Sequence, residues 1–320
     1  SSAASDVYKR QTFASSATIN GAQTLTLDSG TGAIALQGKI GDTTALAGLV
    51  INTSDGAANA GTIEIFDIGD DDPATGVTGT VSIGNTHTAS LTLDGTNYDT
   101  TGATVYEAAS GSNSILITGA DVSITTANNN LTFDGGNIVL STAGTTTIST
   151  GTGGGALQID GTIDGTGSQA ENLTITTGSG SATIGGTIGA TNELGGLTIN
   201  SDNADTGAIT LTGIGTGTDA RGTGAAAVTV GSTGTTTLTL AAATYNIDGN
   251  AAFESVSGAN KILITGTNPV FTLHDDTIDF LSGGMNLADG ANLTVNSQGG
   301  AIQIVGAVTG HSAENITLNS

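Results

Sequence analysis

Ile115-Leu116-Ile117-Thr118-Gly119 returns as Ile262-Leu263-Ile264-Thr265-Gly266, a shift of 262 − 115 = 147 residues. The echo is not isolated. Leu91-Thr92-Leu93 returns as Leu238-Thr239-Leu240 at the same shift, and Leu46, Leu49, Ile51 and Asn52 return as Leu194, Leu197, Ile199 and Asn200. Gly155-Ala156-Leu157-Gln158-Ile159 reappears as Gly300-Ala301-Ile302-Gln303-Ile304. Ala170-Glu171-Asn172-Leu173-Thr174-Ile175 reappears as Ala313-Glu314-Asn315-Ile316-Thr317-Leu318. One long unit therefore fills 22–169, a second fills 170–312, and 313–320 opens a third copy. Such a chain is expected to be a piece of something longer. Residues 12–21 read as a lead-in. Repetition of this kind decides the fold class before any residue chemistry is considered.

A finer period lies inside the long one. The triplet apolar-Thr-apolar occurs at Leu25–Leu27, Leu131–Phe133, Leu173–Ile175, Leu197–Ile199, Ile209–Leu211, Val228–Val230 and Leu293–Val295. Side chains alternate faces along a strand, so the outer two residues point one way and the Thr the other. Gly, Asn, Asp and Ser fill nearly every gap, supplying turns that need positive φ or a local side-chain cap. With 51 Gly and 2 Pro, the turns are made by glycine. No stretch of ten or more residues carries a 3.6-residue period, so no helix of consequence is expected.

Short strands, dense turns and nested repeats predict an all-β parallel β-solenoid (β-helix) in two long super-repeats. At ~20–25 residues per coil the chain would make about 13–15 coils in a rod roughly 60–70 Å long. Each super-repeat would hold six or seven coils. The competing fold is a string of antiparallel sandwiches, but aromatic residues are 3% with no Trp, whereas sandwich cores usually contain large aromatics. The alternation predicts that Leu173, Ile175, Leu197, Ile199, Leu238, Leu240, Ile262 and Ile264 are buried and that Thr174, Thr198 and Thr239 are exposed. The echoes predict that Leu91 and Leu238, and likewise Ile115 and Ile262, lie on one sheet several coils apart.

Composition sets the environment. There is no Cys, hence no disulfide and no thiolate metal site. A formal net charge of −23, from 28 acids against 5 Lys plus Arg, repels nucleic acid and anionic lipid. No run of 18 apolar residues exists, so no membrane-spanning segment is expected. Residues 1–11, SSAASDVYKRQ, lack the Gly/Thr rhythm and resemble a translated adapter remnant, a non-native tail expected to be disordered.

Gly185-Gly186-Thr187-Ile188-Gly189, Gly195-Gly196-Leu197-Thr198-Ile199-Asn200 and Ile209-Thr210-Leu211-Thr212-Gly213 resemble giant bacterial β-strand-repeat surface proteins. These are similar to autotransporter passengers and filamentous-haemagglutinin-like adhesins. The resemblance covers almost all of 18–320 and is one of style, with no invariant motif. It implies a non-catalytic structural stalk or adhesin segment, secreted or on the bacterial cell surface. Its partners would be a host or neighbouring cell surface, matrix glycans or further copies of itself. The alternative is a carbohydrate-active or carbohydrate-binding β-helix.

The search for chemistry yields few candidates. His87, His274 and His311 have no metal-ligand spacing. His274-Asp275-Asp276 would converge only at a turn. Asp67, Asp70, Asp71 and Asp72 form the densest acidic cluster, and oxygen-rich turns bind Ca²⁺. They are the candidate metal ligands, although no tandem RTX nonapeptide occurs. No other cofactor is expected. Lyase chemistry needs a base beside cation-binding acids; Lys39, Arg221 and Lys261 are scattered, and no catalytic residue is assigned. Tyr98 aligns with Tyr245, which favours a structural role at a repeated turn. Thr145-Thr146-Thr147 and Thr235-Thr236-Thr237 are consecutive and cannot share a face as an ice-binding ladder would require. Asn172 and Asn315 stand in sequons at aligned positions and read as members of Asn ladders at coil corners.

Overall fold

The computed structural model describes residues 10–54, 60–70, 75–216 and 227–320; at 112 and 113 only the backbone is described, and of the tail read at 1–11 residues 1–9 lie outside the described residues while Gln11 belongs to the first strand. Among the described residues there are 28 strands and no helix. The strand pairings are parallel, so the chain is a β-solenoid as the repeats predict. The apolar-Thr-apolar triplets make the strands because each turns two apolar residues inward and leaves a polar one between them. Leu173-Thr174-Ile175 and Leu197-Thr198-Ile199 pair residue for residue in adjoining turns.

One ladder runs the length of the molecule. Gln11, Ile34, Ile63, Leu91, Ile115, Ile138, Ile163, Ile188, Ile214, Tyr245, Phe271, Val295 and Leu318 each pair with the next. Twelve steps carry the chain from 11 to 318, so a turn takes about 26 residues, slightly more than expected. At ~4.8 Å per step the stack is roughly 58 Å long. A second ladder begins Ile19, Ile40, Ile68, Tyr98 and ends Phe280, Ile304. A third begins Leu25, Leu49, Val81 and ends Met285, Val308. Each turn thus carries three strands, one per face. The strands Thr104–Ile117, Leu131–Leu140, Ala251–Ile264 and Ile278–Leu287 run round a corner from one face to the next. At those corners Gly111 and Gly258, 147 residues apart, hold φ of +150° and +135°, conformations that strain any other residue.

The long repeat does not keep to one face. Leu91 lies on the first ladder and Leu238 on the third; Ile115 lies on the first and Ile262 on the third. Tyr98 lies on the second and Tyr245 on the first. The expectation that echoed residues share a sheet is therefore corrected. Counted along the chain, each pair is 17 strand positions apart, which is five and two-thirds turns. Successive super-repeats are consequently related by a screw that shifts every feature by one face. The turns vary in length, so 147 residues need not equal a whole number of them.

The eight aliphatic residues expected inside are all buried. Thr174, Thr198 and Thr239 point outward as expected, but they are half-buried rather than exposed. Each has a rung about 4.8 Å above and below it that covers its flanks. Thr146 is buried between half-buried Thr145 and Thr147, so consecutive threonines do alternate faces. The few aromatics are concentrated in the interior as same-ladder stacks. Tyr245 and Phe271 lie 4.3 Å apart at 6°, Tyr106 and Phe133 5.3 Å apart.

Candidate functional site

Of the acidic cluster, Asp67 and Asp70 are described, and each is held by different partners. Asp67 is buried at the corner after the strand's Ile65, and its Oδ1 accepts the backbone N–H groups of Thr96 at 2.8 Å and Asn97 at 3.0 Å, one turn on. Asp164 does the same for Thr191 at 2.7 Å and Asn192 at 3.2 Å. These carboxylates fasten one turn to the next. Asp70 accepts a hydrogen bond from the Thr75 hydroxyl at 2.7 Å within its own loop. Asp71 and Asp72 lie outside the described residues, as does Arg221. Among the described residues no three His, Asp or Glu side chains gather at metal-binding distance.

The other candidates are equally dispersed. Asp275 is exposed at a turn with φ +67°, apart from half-buried His274 and Asp276. His87 is exposed and its ring meets the Thr86 hydroxyl beside it, at 3.0 Å. Lys39 pairs with Asp42 at 3.7 Å. The aligned tyrosines take the structural role expected of them. Tyr98 Oη accepts the N–H of Gly95 and donates to carbonyls of the turn below, those of Ile65 and Phe66. Tyr245 Oη accepts the N–H of Ala242 and donates to Leu211. Burial pushes both phenols well above the usual tyrosine pKa.

Two devices were only partly legible beforehand. Asn52 and Asn200, at equivalent repeat positions, are buried with φ of +46° and +47°. Asn200 accepts the Thr177 N–H and donates to the Thr177 hydroxyl, both at 2.8 Å. Asn52 does the same for Ser29. The expected Asn ladder is present at Asn268, Asn292 and Asn315. Asn172 instead donates to the carbonyl of Gly144.

Sequence reasoning missed a stack of carboxylates on the third face. Asp134 pairs in register with Glu107, and Asp160 follows Ile159, the partner of Phe133. Burial raises the pKa of Asp134, and the charge and hydrogen bond of Asp160 raise it further. Only the register could have revealed this, since the three acids are more than 25 residues apart in sequence. A shallow cleft of about 230 Å³ is lined by Thr75, Asp99, Thr100, Thr125, Thr126 and Gly151. Its one carboxylate, Asp99, accepts a hydrogen bond from Thr125.

No protein family matches the chain, and no curated protein or solved structure matches it.

Proposed function

We propose that the chain is a non-catalytic rod segment of a large repetitive bacterial surface or secreted protein, acting as a stalk or adhesin. The observation that carries this reading is the continuity of three ladders over twelve turns. A segment built this way separates its ends by roughly 58 Å, and each added super-repeat would extend it by about 27 Å without a new fold. The use of polar side chains supports it too: Asp67, Asp164, Asn52, Asn200, Tyr98 and Tyr245 bond turn to turn. The acidic surface and the likeness to autotransporter passengers and filamentous-haemagglutinin-like adhesins support an extracellular place. A neighbouring or host cell surface or matrix glycans would be its partners.

Purified chain applied to a glycan array, to intact cells and to a panel of polysaccharides tests the reading. It is expected to be retained on a cell or glycan surface and to release no new reducing ends or unsaturated sugar products. Catalytic depolymerisation of any polysaccharide would overturn it in favour of a carbohydrate-active β-helix.

A further inference from the structure

The two super-repeats build the same column of side chains differently. The inward residues Leu36, Ile65, Leu93 and Ile117 pair turn by turn, as do Ile184, Leu211, Leu240 and Ile264. The residue after each points away from the core. In the second super-repeat these are Gly185, Thr212, Ala241 and Thr265; in the first they are Gln37, Phe66, Asp94 and Thr118. Glu64, two residues before Phe66 on the same outward face, stands where the second copy has Thr210. The second copy is the plain form of the rod, in which the Thr212 hydroxyl donates to the Ile184 carbonyl one turn back at 2.9 Å. The first copy puts an amide, two carboxylates and a phenyl ring in the same places.

Those four side chains, with Ser15, line a groove of about 240 Å³. The three strands that carry Gln37, Glu64, Phe66 and Asp94 each have a paired strand on both sides, so the groove belongs to the flank of the stack. A lone exposed ring would be ordinary; this one is set apart by its company. Seven aromatic side chains, from Tyr98 to Phe280, are at most 1% exposed, whereas Phe66 is 38% exposed. Gln37 Nε2 donates to Glu64 Oε1 at 3.4 Å, and Asp94 Oδ1 accepts the Thr118 hydroxyl. Glu64 Oε2, Asp94 Oδ2 and the Gln37 carbonyl oxygen are left as acceptors beside the ring. The lining carries no Lys, Arg or His, and Lys39 pairs instead with Asp42.

We propose that this groove is a docking site for an arginine side chain of a partner protein. The groove calls for a ligand with several N–H donors, a positive charge and a flat face. A guanidinium has all three: it stacks on aromatic rings, and its donors fork onto carboxylates. An ammonium has the charge without the face. A neutral sugar has a face without a charge to answer two carboxylates. The net charge of −23 draws a cationic partner toward the rod, and the groove gives it one specific seat. This goes beyond the stalk reading, which needs no particular seat.

Nuclear magnetic resonance of isotope-labelled full chain tests the proposal. The probes are the blocked pentapeptide Gly-Ser-Arg-Ser-Gly, its Lys and Gln counterparts, and cellotetraose as a neutral glycan. The Arg peptide should shift the Phe66 ring and the amides of Glu64 and Asp94 saturably, and leave Thr210 and Thr212 unmoved. The Lys peptide should bind about two- to fivefold more weakly, the scale of an exposed cation–π contact, and the Gln peptide should not bind. Phe66→Thr should weaken the Arg peptide by a similar factor, and Glu64→Thr combined with Asp94→Ala should abolish saturation. These variants install the residues that the second copy carries, and circular dichroism checks that each keeps the fold. The contrast between 64–66 and 210–212 within the unmodified chain needs no variant. Equal shifts in both super-repeats would overturn the proposal in favour of general attraction to an acidic rod. Equal binding of the Lys peptide, cellotetraose alone moving the Phe66 signals, or no saturable shift would overturn it as well.

Discussion

The strands Glu171–Thr176 and Ile316–Asn319 come from one repeated sequence, Ala-Glu-Asn-apolar-Thr-apolar, yet they live in different surroundings. Leu173 and Ile175 are 1% and 0% exposed, whereas Ile316 and Leu318 are 39% and 50% exposed. The strands differ in cover. Glu171–Thr176 has Gly144–Ser149 on one side and Gly196–Ile199 on the other, and Ile316–Asn319 has only Leu293–Asn296. Burial in this molecule is therefore a property of the neighbouring turn as much as of the strand. Full burial of such a side chain contributes about 1.5–3 kcal/mol, so a last-turn residue forgoes roughly half of that.

The largest expected effect separates the two strands directly. Leu173→Ala removes a side chain packed from both sides and should cost about 2–5 kcal/mol. Leu318→Ala should cost under about 1 kcal/mol, because half of its surface is already wet. Urea unfolding followed by circular dichroism compares them, and equal costs would break the comparison.

A smaller effect concerns the polar contacts that only a covered turn can make. Asn200→Ala strands the buried Thr177 N–H and forces alanine to a φ of +47°; a loss of about 1–3 kcal/mol is expected. Asn319→Ala, on the open last strand, should leave the unfolding midpoint unchanged.

The paired glutamates sharpen the contrast through pH. Burial raises the Glu171 pKa, but hydrogen bonds from Thr166, its own backbone and Ser168 outweigh it, so the net shift is downward. A carboxyl lowered on folding adds stability above its unfolded value of about 4.3 and loses it as pH falls through the folded value. Glu171→Gln should thus destabilise at pH 7 by about 1 kcal/mol and by less at pH 3. Glu314 has its pKa lowered to about 2, chiefly by the Ser312 N–H, but sits at the surface of the last turn. Glu314→Gln should shift neither the pH 7 nor the pH 3 midpoint. Thermal melts at the two pH values check all four outcomes.

The same contrast explains what the sequence could reveal. The apolar-Thr-apolar triplets made the fold class and the buried residues legible, because alternation is a local property of a strand. The match of Tyr98 with Tyr245 and the corner asparagines were legible because the repeat preserved them. Register was hidden. Turn lengths vary from 21 residues between Ile19 and Ile40 to 32 between Leu49 and Val81. The one-face shift of the super-repeat and the stacking of Glu107, Asp134 and Asp160 depend on those lengths. Asp67 read as a candidate ligand because its carboxylate is plain in sequence, while the Thr96 and Asn97 amides that donate to its Oδ1 lie a turn away.

Amide hydrogen exchange of the unmodified chain tests the central claim most directly. If cover by the next turn sets local stability in a one-dimensional stack, amides of 171–176 should exchange at least about 100-fold more slowly than those of 316–319, with protection falling toward both ends. Equal protection of these two strands would contradict the account.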